Sequence, residues 1–260
     1  MAKPAALIDL RDIPAALGLL TRLPVRVDPD FATKRGAAAA WAYPLVGLCT
    51  GLPAWALAVL ALWIGVPPLV AAGLAVMVPV ILTGALHEDG FADTADGLWG
   101  GWTPVRRLEL MKDSHIGTYG VLALILAIGL RWQILAPIIE GGFLLAAILS
   151  SAALSRAAMV AVMAALPHAR PDGLSASVGR PTLATALIAS GLALAIAGSA
   201  AGWATLPLAV VVGGTAAGIA ALAKSRIGGQ TGDILGAVQV VTEIVGLLTL
   251  LALAGTSWTA

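Results

Sequence analysis

The chain has 260 residues, of which 59% are hydrophobic and only 11% are charged. Soluble domains carry charge on about a quarter of their residues, so this composition excludes an ordinary water-soluble globule, and it also excludes intrinsic disorder. The net charge of +1 excludes bulk binding of nucleic acid, and the single cysteine, Cys49, excludes an internal disulfide. The sequence therefore predicts an all-α, polytopic membrane protein.

Seven stretches approach or reach the roughly 20 apolar residues that a helix needs to cross the hydrocarbon core. They are 40–64, 67–86, 118–139, 142–166, 183–201, 203–223 and 234–255. Between them, short turns alternate with longer polar segments, which cover 87–117, 167–182 and 224–233. We expect a single integral membrane domain over 1–260, with the helix bundle at 37–260.

The amino-terminal segment, 1–36, is predicted to be an amphipathic helix and not a signal peptide. Asp9 and Asp12 interrupt its apolar run, and no cleavage signal follows. Apolar residues recur there at helical spacing, at Leu7, Leu10, Pro14, Leu17 and Leu20. This pattern fits a helix lying on the membrane surface and fits equally well a helix packed against the bundle.

The distribution of Lys and Arg predicts the orientation. Thirteen of the fifteen basic residues fall in 1–36 and in the three longer polar segments, whereas the short turns hold none. With seven spans these four segments share one side, which the positive-inside rule makes the cytoplasm. We therefore expect a multi-pass protein of the cell inner membrane, with its amino terminus inside and its functional site facing the cytoplasm.

An acidic cluster lies in the segment HEDGFADTADGLWGG, which begins at His87. On a helix, Asp89, Asp93 and Asp96 share one face with Glu88 beside them, and their mutual repulsion calls for a cation. Carboxylates without nearby cysteine favour Mg²⁺, Mn²⁺ or Ca²⁺ over Zn²⁺. A solvated acidic helix start accounts for one or two of these acids but not for three on one face.

Basic residues near the cluster favour a phosphate-bearing ligand. In MKDSHIGTYG, Lys112 beside the acids suits a phosphate ester, although it also fits a simple positive-inside anchor. Arg156 lies within the fourth span, where a buried arginine is functional by default. Arg131 lies nearer the outer end of its span and is interpreted as structural. His87 and His115 border the acidic segment and are weaker candidate ligands, because a lone histidine there is more often a hydrogen-bonding surface residue.

Two later polar segments add candidate residues. The segment PHARPDGLSASVGRP carries Arg170 and is either a lid over the site or a connector. In KSRIGGQTGDILGAVQVVTE, glycines precede a helix start, where backbone N–H groups approach phosphates. Gly229 and Thr231 are candidate phosphate-binding residues there, and Asp233 and Glu243 are predicted metal ligands on the same side as the first cluster.

Two classes of function fit this arrangement: a Mg²⁺-dependent enzyme acting on phosphate esters, and a divalent-cation transporter. Transporter sites usually lie near the bilayer midplane on broken helices. Here the acids cluster at the predicted inner ends of the spans, and the basic residues beside them would repel a free cation. The pattern therefore favours the enzyme.

Six motifs together resemble the cobalamin synthase family, also called adenosylcobinamide-GDP ribazoletransferase. They are TRLPV, HEDGFADTADGLWGG, MKDSHIGTYGVLAL, the Ser155-Arg156 pair, LPHARPDGL and GGQTGDILGAVQVVTE. They follow the family's order and span residues 21 to 243. The sequence departs from the family pattern at two places. His168 stands where the family often has tyrosine, and Val240-Val241 stand where it has more polar residues before Glu243.

The resemblance implies a Mg²⁺-dependent late step of cobalamin biosynthesis. A ribose hydroxyl of α-ribazole or its 5′-phosphate attacks the phosphorus that bears the cobinamide of adenosylcobinamide-GDP, so that GMP leaves and adenosylcobalamin or its 5′-phosphate forms. The expected partners are these two substrates and membrane lipid, without nucleic acid. A homo-oligomer is compatible with the Ala- and Gly-rich spans.

Each predicted role has its residues in this sequence. The metal ligands would be Glu88, Asp89, Asp93, Asp96, Asp233 and Glu243. Phosphate oxygens would be held by Lys112, Arg156 or Arg170, Gly229 and Thr231. The hydroxyl proton would pass to Asp113 or Asp96, with His115 as a third candidate.

A second family shares part of the acidic motif. CDP-alcohol phosphotransferases have a signature that begins Asp-x-x-Asp-Gly, which Asp93-Thr94-Ala95-Asp96-Gly97 matches. The signature continues with Ala-Arg and later two aspartates four residues apart, and this chain has Gly100-Gly101 with nothing suitable after it. We therefore expect cobalamin synthase chemistry, with the CDP-alcohol phosphotransferase as the alternative.

Overall fold

The structure, a computed structural model, describes residues 6–256 and the side chains of residues 6–255. Within this range the secondary structure is helical, apart from one isolated β-bridge between His168 and Gln230. The α-helices are α1 (Asp12–Leu20), α2 (Pro29–Arg35), α3 (Tyr43–Trp63), α4 (Pro68–Thr83), α5 (Leu86–Gly100), α6 (Pro104–Leu110), α7 (Thr118–Glu140), α8 (Leu144–Ala165), α9 (Leu174–Val178), α10 (Leu183–Ala201), α11 (Thr205–Ile227) and α12 (Gly232–Thr256). The predicted all-α membrane bundle is confirmed.

The predicted count of seven spans is not confirmed. By length and hydropathy, five helical stretches of the described chain suit a membrane span, or six if α4 and α5 together form one. α4 has only 16 residues, about 24 Å of helix, which is shorter than the roughly 30 Å hydrocarbon core. The stretch Leu183–Ile227 has 45 residues and contains both α10 and α11, which is enough chain for two spans; the prediction divides it at Gly202, where φ is +57°.

A sharp bend separates α4 from the acidic helix α5. The two axes differ by 89°, and the turn is made by Gly84 and Ala85, both with left-handed φ values of 64° and 58°. Such a φ is uncommon for alanine, so the surrounding structure must hold it. The Arg22 amide donates to the Leu82 carbonyl at 2.7 Å. The bend directs α5 against α7 and α12.

Helix α8 is the centre of the bundle and packs against α3, α10, α11 and α12. Its contact with α3 is a close backbone approach, because a Cβ at Gly47 would lie 2.7 Å from the Ala152 carbonyl oxygen. Small residues allow such approaches between membrane helices. The Ala- and Gly-rich composition of the spans thus produces close packing around α8.

The amino-terminal helix α1 packs against the start of α3 and the preceding 3₁₀ turn, Gly36–Ala42. Its buried carboxylate, Asp12, accepts hydrogen bonds from Arg35 Nε and Trp41 Nε1, both at 2.7 Å. Of the two arrangements that the sequence left open, α1 therefore adopts the packed one. Leu7 and Leu10, just before it, remain exposed.

The three longer polar segments meet at one end of the bundle, which we call the polar end. They are joined by contacts between Arg107 and the Arg226 carbonyl, between Lys112 and Asp172, and between Arg170 and Asp233. The alternation of short and long connections predicts that these segments share one end of the bundle, and the contacts agree with it.

Candidate active site

At the polar end, helices α5 and α12 touch backbone to backbone. A Cβ at Gly90 would lie 3.0 Å from the Asp233 Cα, and one at Gly236 would lie 3.0 Å from the His87 carbonyl oxygen. Only residues without a side chain permit this approach. It brings Asp89 and Asp93 of α5 next to Asp233 of α12.

Three carboxylates and one guanidinium dominate the electrostatics here. Asp93 is half-buried and lies within electrostatic reach of Asp89, Asp233, Asp96 and Arg170. Asp96 is engaged elsewhere, as described below. The remaining three acids face a single arginine, so the site would carry a formal excess of two negative charges with all three acids ionised.

A cavity of about 230 Å³ opens between α5, α8, α12 and the connector before α10. Asp89, Arg170 and Asp233 line its polar side. The apolar side is lined by Leu19, Leu20, Tyr43, Leu86, Met159, Met163, Leu174 and Val178. A ligand with a charged group and a large apolar body fits such a two-sided cavity.

Arg170 is held at the cavity with unused hydrogen-bonding capacity. Its Nη2 donates to Asp233 Oδ2 at 3.2 Å, and Thr231 Oγ1 donates to the same oxygen at 3.1 Å. Its Nε and Nη1 are buried without a hydrogen-bond partner among the described residues. Buried donors are normally satisfied, so two orphaned N–H groups on a residue that lines the cavity make Arg170 a candidate for binding anionic oxygens.

The glycine-rich segment before α12 has a packing role. Gly229 lies against the Pro167 carbonyl, so closely that no side chain fits, and Gln230 exchanges backbone hydrogen bonds with Pro167 and Ala169. Thr231 accepts from the Ile234 amide at 3.2 Å as the amino-terminal cap of α12. These contacts explain Gly229 and Thr231 without a bound phosphate, and phosphate binding by either residue stays a prediction.

Asp96 fixes the start of α7. Its carboxylate accepts from the Gly117 amide at 2.7 Å and the Gly120 amide at 2.9 Å. An acid at a helix amino terminus satisfies orphan N–H groups and is favoured by the helix dipole. A Cβ at either glycine would collide with this carboxylate. The contact ties the loop before α7 to the acidic helix.

That loop carries Asp113 and His115, both well exposed to solvent. Asp113 Oδ1 accepts from the His115 amide and contacts His115 Nδ1, each at 2.9 Å. These two hydrogen bonds hold the pKa of the Asp113 carboxyl below its usual range. The neighbouring Lys112 pairs with Asp172, and this contact lowers the pKa of the Asp172 carboxyl. Neither Asp113 nor His115 lines the cavity.

Glu88, Glu243 and Arg156 lie away from the cavity, in the bundle interior. Glu88 Oε1 accepts from Arg131 Nη2 at 2.8 Å, and Glu243 lies 3.8 Å from Arg131 and 4.0 Å from Arg156. The six predicted metal ligands are therefore not one set, because two are paired with buried arginines. Arg156, which is 2% exposed, does not line the cavity where the sequence placed it.

Arg131 is the residue that sequence reasoning misjudged. It was predicted to extend outward as a structural residue, but it is 3% exposed and paired with Glu88. The available signal was the rule applied to Arg156, that an arginine inside a span pairs with another group. His87 is also buried but, unlike Arg131, it lines the cavity. Its Nε2 has no hydrogen-bond partner among the described residues.

The donor set at the cavity fits Mg²⁺. Within the described residues, no three His, Cys, Asp or Glu side chains lie close enough to hold a metal ion by themselves. Mg²⁺, however, is commonly held by one or two carboxylates, with water and substrate phosphates completing its coordination. Asp89, Asp93 and Asp233 offer hard oxygen donors in a site with excess negative charge, which suits that mode of binding.

Comparison with known proteins identifies the family. A family model described as cobalamin-5-phosphate synthase matches residues 12–251. Three curated relatives are named adenosylcobinamide-GDP ribazoletransferase. The one from Bradyrhizobium diazoefficiens is 43% identical over 246 residues, 92% of each chain. That from Mesorhizobium japonicum is 40% identical over 248 residues, 94% of this chain and 93% of the relative. The relative from Allorhizobium ampelinum is 44% identical over 250 residues, which cover 92% of this chain and 95% of the relative.

No solved structure matches the chain. The match to the family model and to these relatives covers nearly the whole sequence. The resemblance predicted from the motifs is thus confirmed, and the chain belongs to the cobalamin-5-phosphate synthase family of transferases.

Proposed function

We propose that this protein transfers the adenosylcobinamide phosphate group from adenosylcobinamide-GDP to α-ribazole or its 5′-phosphate and releases GMP. The observation that carries the proposal is Arg170, whose side chain has two orphaned N–H groups and lines, with Asp89 and Asp233, a cavity that also has an apolar side. Such a site suits a pyrophosphate attached to a bulky organic group.

Arg170 and the carboxylates would have complementary roles. Arg170 would donate from Nε and Nη1 to non-reacting phosphate oxygens of the donor, while Asp233 fixes its guanidinium plane. Asp89, Asp93 and Asp233 would hold Mg²⁺, which supplies charge neutralisation at the pyrophosphate when bound. Lys112, on the adjoining loop, would attract the anionic substrate to the polar end.

The proton of the attacking hydroxyl needs an acceptor near the cavity. Asp96 uses its carboxylate to hold α7, and Asp113, with its lowered pKa, is a weak base. His115 lies outside the cavity lining and would have to approach it with its loop; a carboxylate bonded to Nδ1–H would then orient its imidazole and leave Nε2 as the acceptor. Asp113 would then be the positioning residue of an Asp113–His115 pair.

The site would face the cytoplasm of a bacterial cell, at its inner membrane. Thirteen of the fifteen basic residues lie in the segments predicted to be cytoplasmic, and positive residues are retained on that side. The acidic cavity is built from those same segments, so both soluble substrates would reach it from the cytoplasm.

Purified protein in lipid vesicles tests the proposal. With Mg²⁺, adenosylcobinamide-GDP and α-ribazole 5′-phosphate, we expect release of GMP and formation of a cobalamin phosphate, both abolished by EDTA. The Arg170→Ala variant serves as a low-activity reference. Absence of GMP release, with turnover of CDP-lipid substrates instead, would contradict the proposal and favour CDP-alcohol phosphotransferase chemistry.

A further inference from the structure

Four charged side chains form a network inside the bundle, separate from the cavity. Arg131 of α7 donates to Glu88 of α5 at 2.8 Å and lies 3.8 Å from Glu243 of α12. Arg156 of α8 lies 4.0 Å from the other Glu243 oxygen. Gln239, one turn before Glu243, donates to the same carboxylate. One network thus joins four helices.

This network is only partly satisfied by protein groups. Glu88 Oε2, Arg131 Nε and Arg156 Nε are buried without hydrogen-bond partners among the described residues. A small cavity of about 30 Å³, lined by Arg131, Arg156 and Glu243, lies beside them. Buried ionic groups in a membrane protein are costly and mark a functional demand, so packing alone does not account for them.

The network is connected to the candidate active site through the two helices that bear the carboxylates. Glu88 immediately precedes Asp89 in α5, and Glu243 belongs to the same helix as Asp233. These helices approach each other backbone to backbone at Gly90 and Gly236. The directional ion pair between Glu88 and Arg131 therefore lies one residue from Asp89, between α5 and α7.

We propose that Arg131 is a positioning residue, whose ion pair with Glu88 sets the register of α5 so that Asp89 and Asp93 face Asp233. Arg131 lies outside the cavity lining and acts through Glu88. The kinetic part of this inference rests on the proposed function. The structural part does not, because the stability of α5 in its packed position is measurable by amide exchange in protein without substrate.

Single and double substitutions separate positioning from folding. Arg131→Met and Glu88→Gln each leave a buried charge unpaired and are expected to lower thermal stability, whereas the double variant removes both charges and should recover it. We expect kcat of the double variant to stay about tenfold or more below wild type, with KM changed less than about twofold, because misplaced groups slow the chemical step. The conservative variant Arg131→Lys keeps the charge and should retain most of the wild-type kcat that Arg131→Met loses.

Hydrogen–deuterium exchange provides the readout without substrate. In the double variant we expect faster amide exchange in α5, with α10 unchanged. The matched control is Trp132→Phe, the next residue of α7, which loses a 2.6 Å hydrogen bond to the Leu69 carbonyl and should change neither kcat nor α5 exchange.

The outcomes distinguish the two proposals. Wild-type kcat in the double variant, or unchanged α5 exchange, would overturn the positioning role. Wild-type protein without turnover of the corrinoid substrates would refute the proposed function instead, and the exchange experiment would still decide the role of Arg131.

Discussion

Glu88 and Asp89 are consecutive acids with opposite surroundings. Successive helical residues point about 100° apart, so Glu88 faces Arg131 in the interior while Asp89 lines the cavity. The interior network balances two glutamates with two arginines, whereas Asp89 and Asp233 at the cavity, with Asp93 beside them, face one arginine. The acidic motif of α5 therefore has two parts. Glu88 is neutralised by an arginine in the interior, whereas Asp89 and Asp93 belong to a group with more acids than arginines.

The uneven charge is the reason why we propose the chemistry at the cavity and not in the interior network. The interior network still has unpartnered polar atoms, but its two glutamates and two arginines balance in charge, so it does not call for an ionic ligand. Three acids around one arginine with orphaned N–H groups require further partners. The following predictions test this division, from the largest expected effect to the smallest.

Asp93→Asn should reduce turnover most, because it removes one charge from the unbalanced cluster without creating a cavity. We expect kcat to fall by about 10³-fold or more, measured as GMP release, with an unchanged thermal unfolding midpoint. The control is Glu109→Gln, which alters an exposed acid paired with Arg106. Wild-type turnover of Asp93→Asn would remove Asp93 from the site.

Gly236→Ala should separate the two acidic helices. Its Cβ would meet the His87 carbonyl at 3.0 Å and the Gly90 Cα at 3.2 Å, so α12 must move away from α5. We expect kcat to fall between about tenfold and 100-fold, because displacement of reacting groups by about 1 Å has that effect.

Gly213→Ala provides the matched comparison for that substitution. Gly213 lies on α11, and a Cβ there meets no atom within 4 Å. The variant should therefore keep wild-type turnover. Equal activity of the two alanine variants would show that close contact between α5 and α12 does not matter for the reaction.

Much of the fold and part of the site were predictable from the sequence. The bend between α4 and α5 and the partners of the interior glutamates were not, because they depend on backbone angles and on contacts between distant helices. Apolar length predicts the helical membrane bundle, and charge asymmetry groups the polar segments. α4 is short because the chain bends at Gly84 and Ala85, which both have left-handed backbone angles. Alanine rarely adopts such angles, so the sequence does not predict the bend. For that reason among others, the predicted count of seven spans is not confirmed.

The same limit applies to the site. Helical spacing correctly brings Asp89 and Asp93 to one region, and the last motif adds Asp233. The partners of Glu88 and Glu243 are arginines on other helices, and only the packing of those helices reveals them. Spacing along one helix reports which residues share a face but not what that face meets.

Arg170→Lys should weaken donor binding more than it slows the chemistry. Lysine keeps the charge but loses the planar set of N–H donors that contacts Asp233 and leaves two groups for the ligand. We expect KM for adenosylcobinamide-GDP to rise about tenfold, with kcat reduced less. The same substitution at Arg106, which is exposed at the polar end, should leave KM unchanged.

Asp172→Asn should have the smallest effect, because its pair with Lys112 is exposed and solvent screens it. We expect kcat/KM within about twofold of wild type at low salt and no difference at high salt. Lys112 lowers the pKa of the Asp172 carboxyl, so the pair is fully formed above the ordinary carboxyl pKa and is lost only as the pH falls through the lowered value. The variant should therefore differ from wild type near neutral pH and converge with it in acid. A large loss at high salt would instead mean that the connector carrying Asp172 and Arg170 must be held by this contact for Arg170 to reach its ligand.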